Sequence, residues 1–104
     1  MSARERLPDR RQCETVDLMY GGRRHHLTVG FYDDGRPGEV FLHGAKVGSD
    51  SDGLNADVAV ILSRLLQHGD TDIAAGMGRQ GRSGQPISLI GAVADRIAEI
   101  ARAT

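Results

Sequence analysis

The chain has 104 residues, 39% of them hydrophobic, with fourteen glycines, no tryptophan and a net charge of −1. That length holds one compact domain and is too short for two. The charge balance argues against a broad nucleic-acid or anionic-membrane surface, and the single Cys13 excludes both an internal disulfide framework and an intramolecular dithiol.

Residues 1–13 are polar and Arg-rich, and Pro8 argues against a helix through them. They read as an extended arm, with a disordered, solvated tail as the alternative that composition favours, preceding a domain at 14–104. The start carries no apolar signal segment and the chain no membrane-length run, so the expectation is a cytoplasmic protein without a membrane partner. From Glu14 to Tyr20, Val16, Leu18 and Tyr20 alternate with Thr15, Asp17 and Met19, the period of a strand. Gly21-Gly22 is a two-residue turn signal. A second strand runs through Leu27, Val29 and Phe31. Asp34-Gly35 reads as a type I′ turn, because both residues tolerate positive φ. A third strand carries Val40 and Leu42.

The two turns fix a register. Val16 faces Leu27, Leu18 faces His25 and Asp17 faces His26 across the first pair. Val29 faces Val40, Leu27 faces Leu42, Thr28 faces Phe41 and His26 faces His43 across the second. The apolar residues then share one face, which a one-residue slip would destroy.

Gly44 to Gly53 reads as a loop ending in the N-cap candidates Ser49, Asp50, Ser51 and Asp52. A helix follows to His68, with an apolar stripe of Leu54, Val58, Ile61, Leu62 and Leu65 and a terminating Gly69. Asp70-Thr71-Asp72 suits the start of a short second helix carrying Ile73 and Met77. Gly78 to Gln85 reads as a flexible loop. Pro86 suits the first turn of a last helix with Ile87, Ile90, Val93, Ala94, Ile97 and Ile100 at helical spacing. The expected fold class is α+β: a three-stranded antiparallel meander followed by two or three helices packed on one face, in the order β-β-β-α-α-α.

Three groups of residues stand out as candidate sites. Asp17, His26 and His43 form one cross-strand row, with neighbouring side chains about 4.5–5.5 Å apart. Two imidazoles and a carboxylate suit a zinc-type ion, while an ordinary solvated polar row is the alternative. Lys46, Gly48, Ser49 and Ser51 suit an anion or nucleotide phosphate before a helix N-terminus. Against that, the Walker spacing is absent and Asp50 and Asp52 repel phosphate. Met19, Tyr32 and Phe41 fall on the outer sheet face and suit a protein partner or a second copy. No catalytic set can be argued from spacing: Asp33 and Asp34 are explained by their turn.

Several stretches also carry a family resemblance. RERLPDRR at Arg4 to Arg11, Gly21-Gly22, VGFYDDGRPGEVFL at Val29 to Leu42, GAKVGS at Gly44 to Ser49 and LQHG at Leu66 to Gly69 follow one another in order. With the last helix they resemble the C-terminal TSCPD-type domain of adenosylcobalamin-dependent ribonucleoside-diphosphate reductase, and small free-standing proteins of that type more closely still. The Thr-Ser-Cys-Pro-Asp string is absent; PISLIGAVAD opens the last helix. The resemblance implies a non-catalytic accessory or interaction module in deoxyribonucleotide synthesis, with a reductase chain as a partner. Adenosylcobalamin belongs to the full-length family members, so no cofactor is expected in this chain. The competing reading is a small-ligand binder at the Lys46 loop or the histidine row.

Overall fold

A computed structural model describes residues 3–44, 50–70 and 72–103. Strands β1 (Cys13–Tyr20), β2 (Arg23–Phe31) and β3 (Pro37–His43) form one antiparallel sheet in the order β1-β2-β3. Helix α1 spans Asp50–Gln67 and helix α2 spans Leu89–Ala103. Between them lies a two-residue ribbon, β4 (Arg79–Gln80) with β5 (Gln85–Pro86). The architecture is α+β, a meander followed by two helices. No helix among the described residues is long and apolar enough to cross a membrane.

The cross-strand pairs are those the turns predict, from Val16 opposite Leu27 to His26 opposite His43. The β1–β2 turn has positive φ at both Gly21 (61°) and Gly22 (75°), as a type I′ turn requires. The β2–β3 turn is built differently. Gly35 N–H donates to Tyr32 C=O, Tyr32 N–H donates to Arg36 C=O, and Gly35 has φ 91°. The loop is therefore Asp33, Asp34 and Gly35, one residue longer than the expected Asp34-Gly35. One residue further on, the register shifts back: Phe31 pairs with Pro37, but Gly30 pairs with Glu39, leaving Gly38 as a bulge. The two irregularities cancel. A Cβ on Gly38 would sit 2.6 Å from Tyr32 Cε2, so the bulge takes a residue without one.

Leu27, Val29, Phe31, Val40 and Leu42 on the inner sheet face meet Val93, Ala94 and Ile97 of α2 and Ala59, Leu62 and Leu66 of α1. The helices are placed differently from each other. α2 lies against the inner face. α1 runs along the free edge of β3, where Ser63 Oγ accepts from Val40 N–H at 2.9 Å and Gln67 Nε2 donates to Gly38 C=O at 2.9 Å. These bonds occupy edge-strand groups that would otherwise invite another chain. They also rotate the helix relative to the predicted stripe. The buried line is Asn55, Ala59, Leu62, Leu66 and Gln67, whereas Leu54, Ile61 and Leu65 are exposed. α1 ends in a Schellman motif, with Gly69 N–H on Leu66 C=O and Asp70 N–H on Leu65 C=O.

The stretch after α1 is a set of turns, not a helix, although Ile73 is buried as a core residue. Gly76 has φ 81°, which ends helical propagation. The predicted loop at Gly78 to Gln85 holds the β4–β5 ribbon, pinned to α2 by the fork of Arg79 on Asp95 at 2.5 and 2.6 Å. That fork holds the Asp95 carboxyl below its ordinary range. Pro86 ends β5 and does not open the helix. α2 starts at Leu89, where Ser88 Oγ accepts from Gly91 N–H at 3.0 Å.

The arm is extended and tied down. Glu5 N–H donates to Gln67 C=O at 2.8 Å, and Tyr32 O–H donates to Glu5 C=O. Arg4 Nε reaches Gln67 Oε1, and Arg36 pairs with Glu5 at 3.0 Å.

Candidate functional site

The edge placement of α1 creates a groove. Its floor is Val40 and Leu42 from β3 with Ala56 and Ala59 from α1, and its volume is about 520 Å³. Phe41 and Val60 stand at its lips, 47% and 56% exposed. Arg4, Arg11, Glu39 and Arg64 line one end, and His43 and Asp52 line the other. The groove exists because the side chains between strand edge and helix are small there: alanines bring the helix close, and Ser63 sets the distance through its hydrogen bonds. Its Oγ also lies 2.7 Å from Ala59 C=O and 3.3 Å from Val40 C=O, so the hydroxyl proton has two acceptors in reach.

Charge at the Arg-rich end is mostly consumed internally. Arg11 grips Glu39 in a fork of 2.7 and 3.0 Å, and Glu39 is buried. Gly30 leaves room for this, since a Cβ there would lie 2.7 Å from Glu39 Cγ. The carboxylate raises the Arg11 pKa above its ordinary value. Arg64 has no acidic partner among the described residues. An apolar floor with a half-exposed aromatic lip suits a bound apolar side chain better than a charged substrate.

The sequence-predicted groups fare unequally. His26 Nδ1 lies 2.9 Å from Asp17 Oδ1, and His43 is opposite His26 as expected. No group of three His, Cys, Asp or Glu side chains among the described residues is close enough to hold a metal ion. Lys46, Gly48 and Ser49 lie outside the described residues; Ser51 sits exposed in the first turn of α1. Of the predicted partner surface, Met19 (61% exposed) and Phe41 are on the surface, but Tyr32 is buried. Its ring lies against Gly38 and Leu7, and burial, with Glu5 nearby, pushes its hydroxyl pKa up. Met19 and Phe41 occupy opposite corners of the outer face, with Thr28, His26 and Arg24 between them, so they form no single patch.

Two features escaped the sequence reading. The line Asn55, Ala59, Ser63, Gln67 recurs every four residues, a helix face of small and polar side chains. That recurrence was the available signal for a helix laid on a strand edge. The other is His25. It faces inward beside Leu18, but its Nδ1 is buried with no hydrogen-bond partner among the described residues. Burial, then the charges of Arg23 and His26, lowers its pKa.

The vitamin B12-dependent ribonucleotide reductase of Rhodopirellula baltica is 46% identical over 66 residues, 64% of this chain and 6% of that protein. Those of Bradyrhizobium diazoefficiens and Agrobacterium fabrum are 39% identical over 69 residues and 38% over 66, covering 66% and 64% of this chain. The chain thus spans about 6% of the length of the curated relatives it matches. No solved structure matches it significantly. The family model of the TSCPD domain covers residues 2–101, and the chain belongs to the TSCPD domain family.

Proposed function

We propose that this chain is a non-catalytic accessory module of deoxyribonucleotide synthesis, which binds a protein partner through the groove beside Phe41. The observation that carries the reading is the combination of an apolar groove with a half-exposed aromatic lip in a TSCPD domain whose curated relatives are ribonucleotide reductases. A reductase chain is the partner this relationship favours. The absence of a second cysteine supports a non-catalytic role, because one thiol cannot form the dithiol that reduces a ribonucleotide. The alternative, a ligand at the Lys46 loop or a metal at Asp17, His26 and His43, has only the Asp17–His26 hydrogen bond in its favour.

The test is a pull-down from cells of the source organism, read by mass spectrometry, with wild type and Phe41→Asp. Wild type should retain a ribonucleotide reductase chain, and the variant should weaken that association by about tenfold or more, as expected for losing a buried aromatic anchor. Recovery of an unrelated protein would remove the link to deoxyribonucleotide synthesis. Recovery of the same reductase with both proteins would move the interface away from Phe41.

A further inference from the structure

The outer face of α1 carries a second surface, separate from the groove. Leu54, Val58, Ile61 and Leu65 follow one another at intervals of four, three and four, the spacing of a coiled-coil seam. Leu54 and Ile61 are each 59% exposed and Leu65 is 38% exposed, while Val58 is partly buried. Val58 packs against the core, but Leu54, Ile61 and Leu65 are not needed for the fold, since the other side of the helix already covers β3 and the core. Beside the seam, on one flank, stand Asp57 and Arg64, seven residues apart. Both are exposed, and neither has an ion-pair partner among the described residues.

We infer that this face binds a second copy of the chain, as an antiparallel α1–α1 pair about a two-fold axis near Val58 and Ile61. Charge complementarity selects the occupant. In antiparallel helix pairs, residues on the same flank of the two seams meet each other, so Asp57 of each copy lies opposite Arg64 of the other. One two-fold operation makes that ion pair twice. The same operation sets Leu54 against Leu65 and Val58 against Ile61, so every seam position meets an apolar one. A parallel pairing places Asp57 opposite the flank of Leu62, which is committed to the core, and makes neither ion pair. One helix face per copy is smaller than the roughly 800 Å² per partner of a standard interface, so the dimer forms in a concentration-dependent manner.

Arg64 also lines one end of the groove, but the four seam residues and Asp57 do not, and the test leaves Phe41 intact. Sedimentation velocity over a concentration series should show monomer and dimer in exchange. Asp57→Arg turns both ion pairs into like-charge contacts and should weaken dimerisation by about tenfold, given two exposed pairs reversed at once. Arg64→Asp should do the same. The double exchange, Asp57→Arg with Arg64→Asp, restores both pairs with reversed polarity and should recover wild-type association. That recovery is one a misfolded variant cannot give. Ile61→Asp should leave monomer at every concentration, with an unchanged circular dichroism spectrum. A wild-type chain that stays monomeric throughout overturns the proposal. So does a dimer indifferent to Ile61→Asp, or a double exchange no better than either single one.

Discussion

At the scale of single residues, His25 is the side chain with a measurable consequence. Among the described residues the imidazole has one buried nitrogen without a partner, and burial disfavours its charged form. Its pKa in the folded chain therefore lies below the ordinary value of 6.5. Between those two values the unfolded chain binds a proton that the folded chain does not, so stability rises with pH in that window. The contribution is full above pH 6.5 and falls away as the pH drops toward the native pKa. Urea denaturation between about pH 5 and 8 should show this slope. His25→Phe, a ring of similar size with nothing to titrate, should flatten it on the acid side. An equal slope in the variant would assign the effect to other groups. The inward position of His25 was legible in the strand period, because it follows from the register of Leu18. Its lack of a partner was not, because that depends on how closely Gly44 approaches the ring: a Cβ on Gly44 would sit 2.9 Å from Nδ1.

At the scale of elements, Ser63 joins α1 to the sheet. Ser63→Ala leaves the Val40 N–H of the edge strand without its acceptor, and the expected loss is about 1–3 kcal/mol in denaturant unfolding. An unchanged midpoint would mean that water satisfies that donor equally well. The same bond explains why the apolar pattern of α1 pointed to the wrong face. Leu54, Val58, Val60, Ile61, Leu62, Leu65 and Leu66 are spread over most of the helix circumference, so hydrophobicity alone does not choose an orientation. The choice is made by polar groups: Ser63 and Gln67 must reach the backbone of β3. α2 shows the opposite case. Val93, Ala94 and Ile97 lie on one narrow face and are buried as predicted, while Ile87, ahead of the Ser88 cap, is 56% exposed. The β4–β5 ribbon was not legible at all, because two residues per strand carry no period.

At the scale of the molecule, the arm closes the structure. It touches the tip of the β2–β3 hairpin through Tyr32 and Arg36 and the last turn of α1 through Gln67. Removing residues 1–8 deletes those contacts together with the packing of Leu7 on Gly38. Thermal and urea unfolding of the shortened chain should show a stability loss of roughly 2–4 kcal/mol, from several hydrogen bonds and one partly buried leucine. A melting temperature equal to that of the full chain would show that the arm adds nothing to the fold. The composition of this segment favours a disordered, solvated tail over an ordered extended arm. Its order comes from partners more than twenty residues away, which no local pattern encodes. The α+β class and the strand register, by contrast, follow from short-range turn chemistry and alternation, and both appear in the structure.

The paired irregularities of the β2–β3 hairpin behave like compensating frameshifts. The tip carries one residue more than the shortest turn, and Gly38 takes that residue up again before the sheet proper begins. Residue counting therefore cannot distinguish this hairpin from one with a two-residue turn and no bulge, which is why the pairing was read correctly through a wrong turn. Length changes here are absorbed where they occur. Deleting Gly38 removes the bulge and leaves Phe31 opposite Pro37 and Gly30 opposite Glu39 in one regular ladder, and losing one tip residue shortens the loop between Tyr32 and Arg36 to two residues. Val40 and Leu42 stay inward in either case, so the groove, its aromatic lip and the floor beneath it are buffered against such changes.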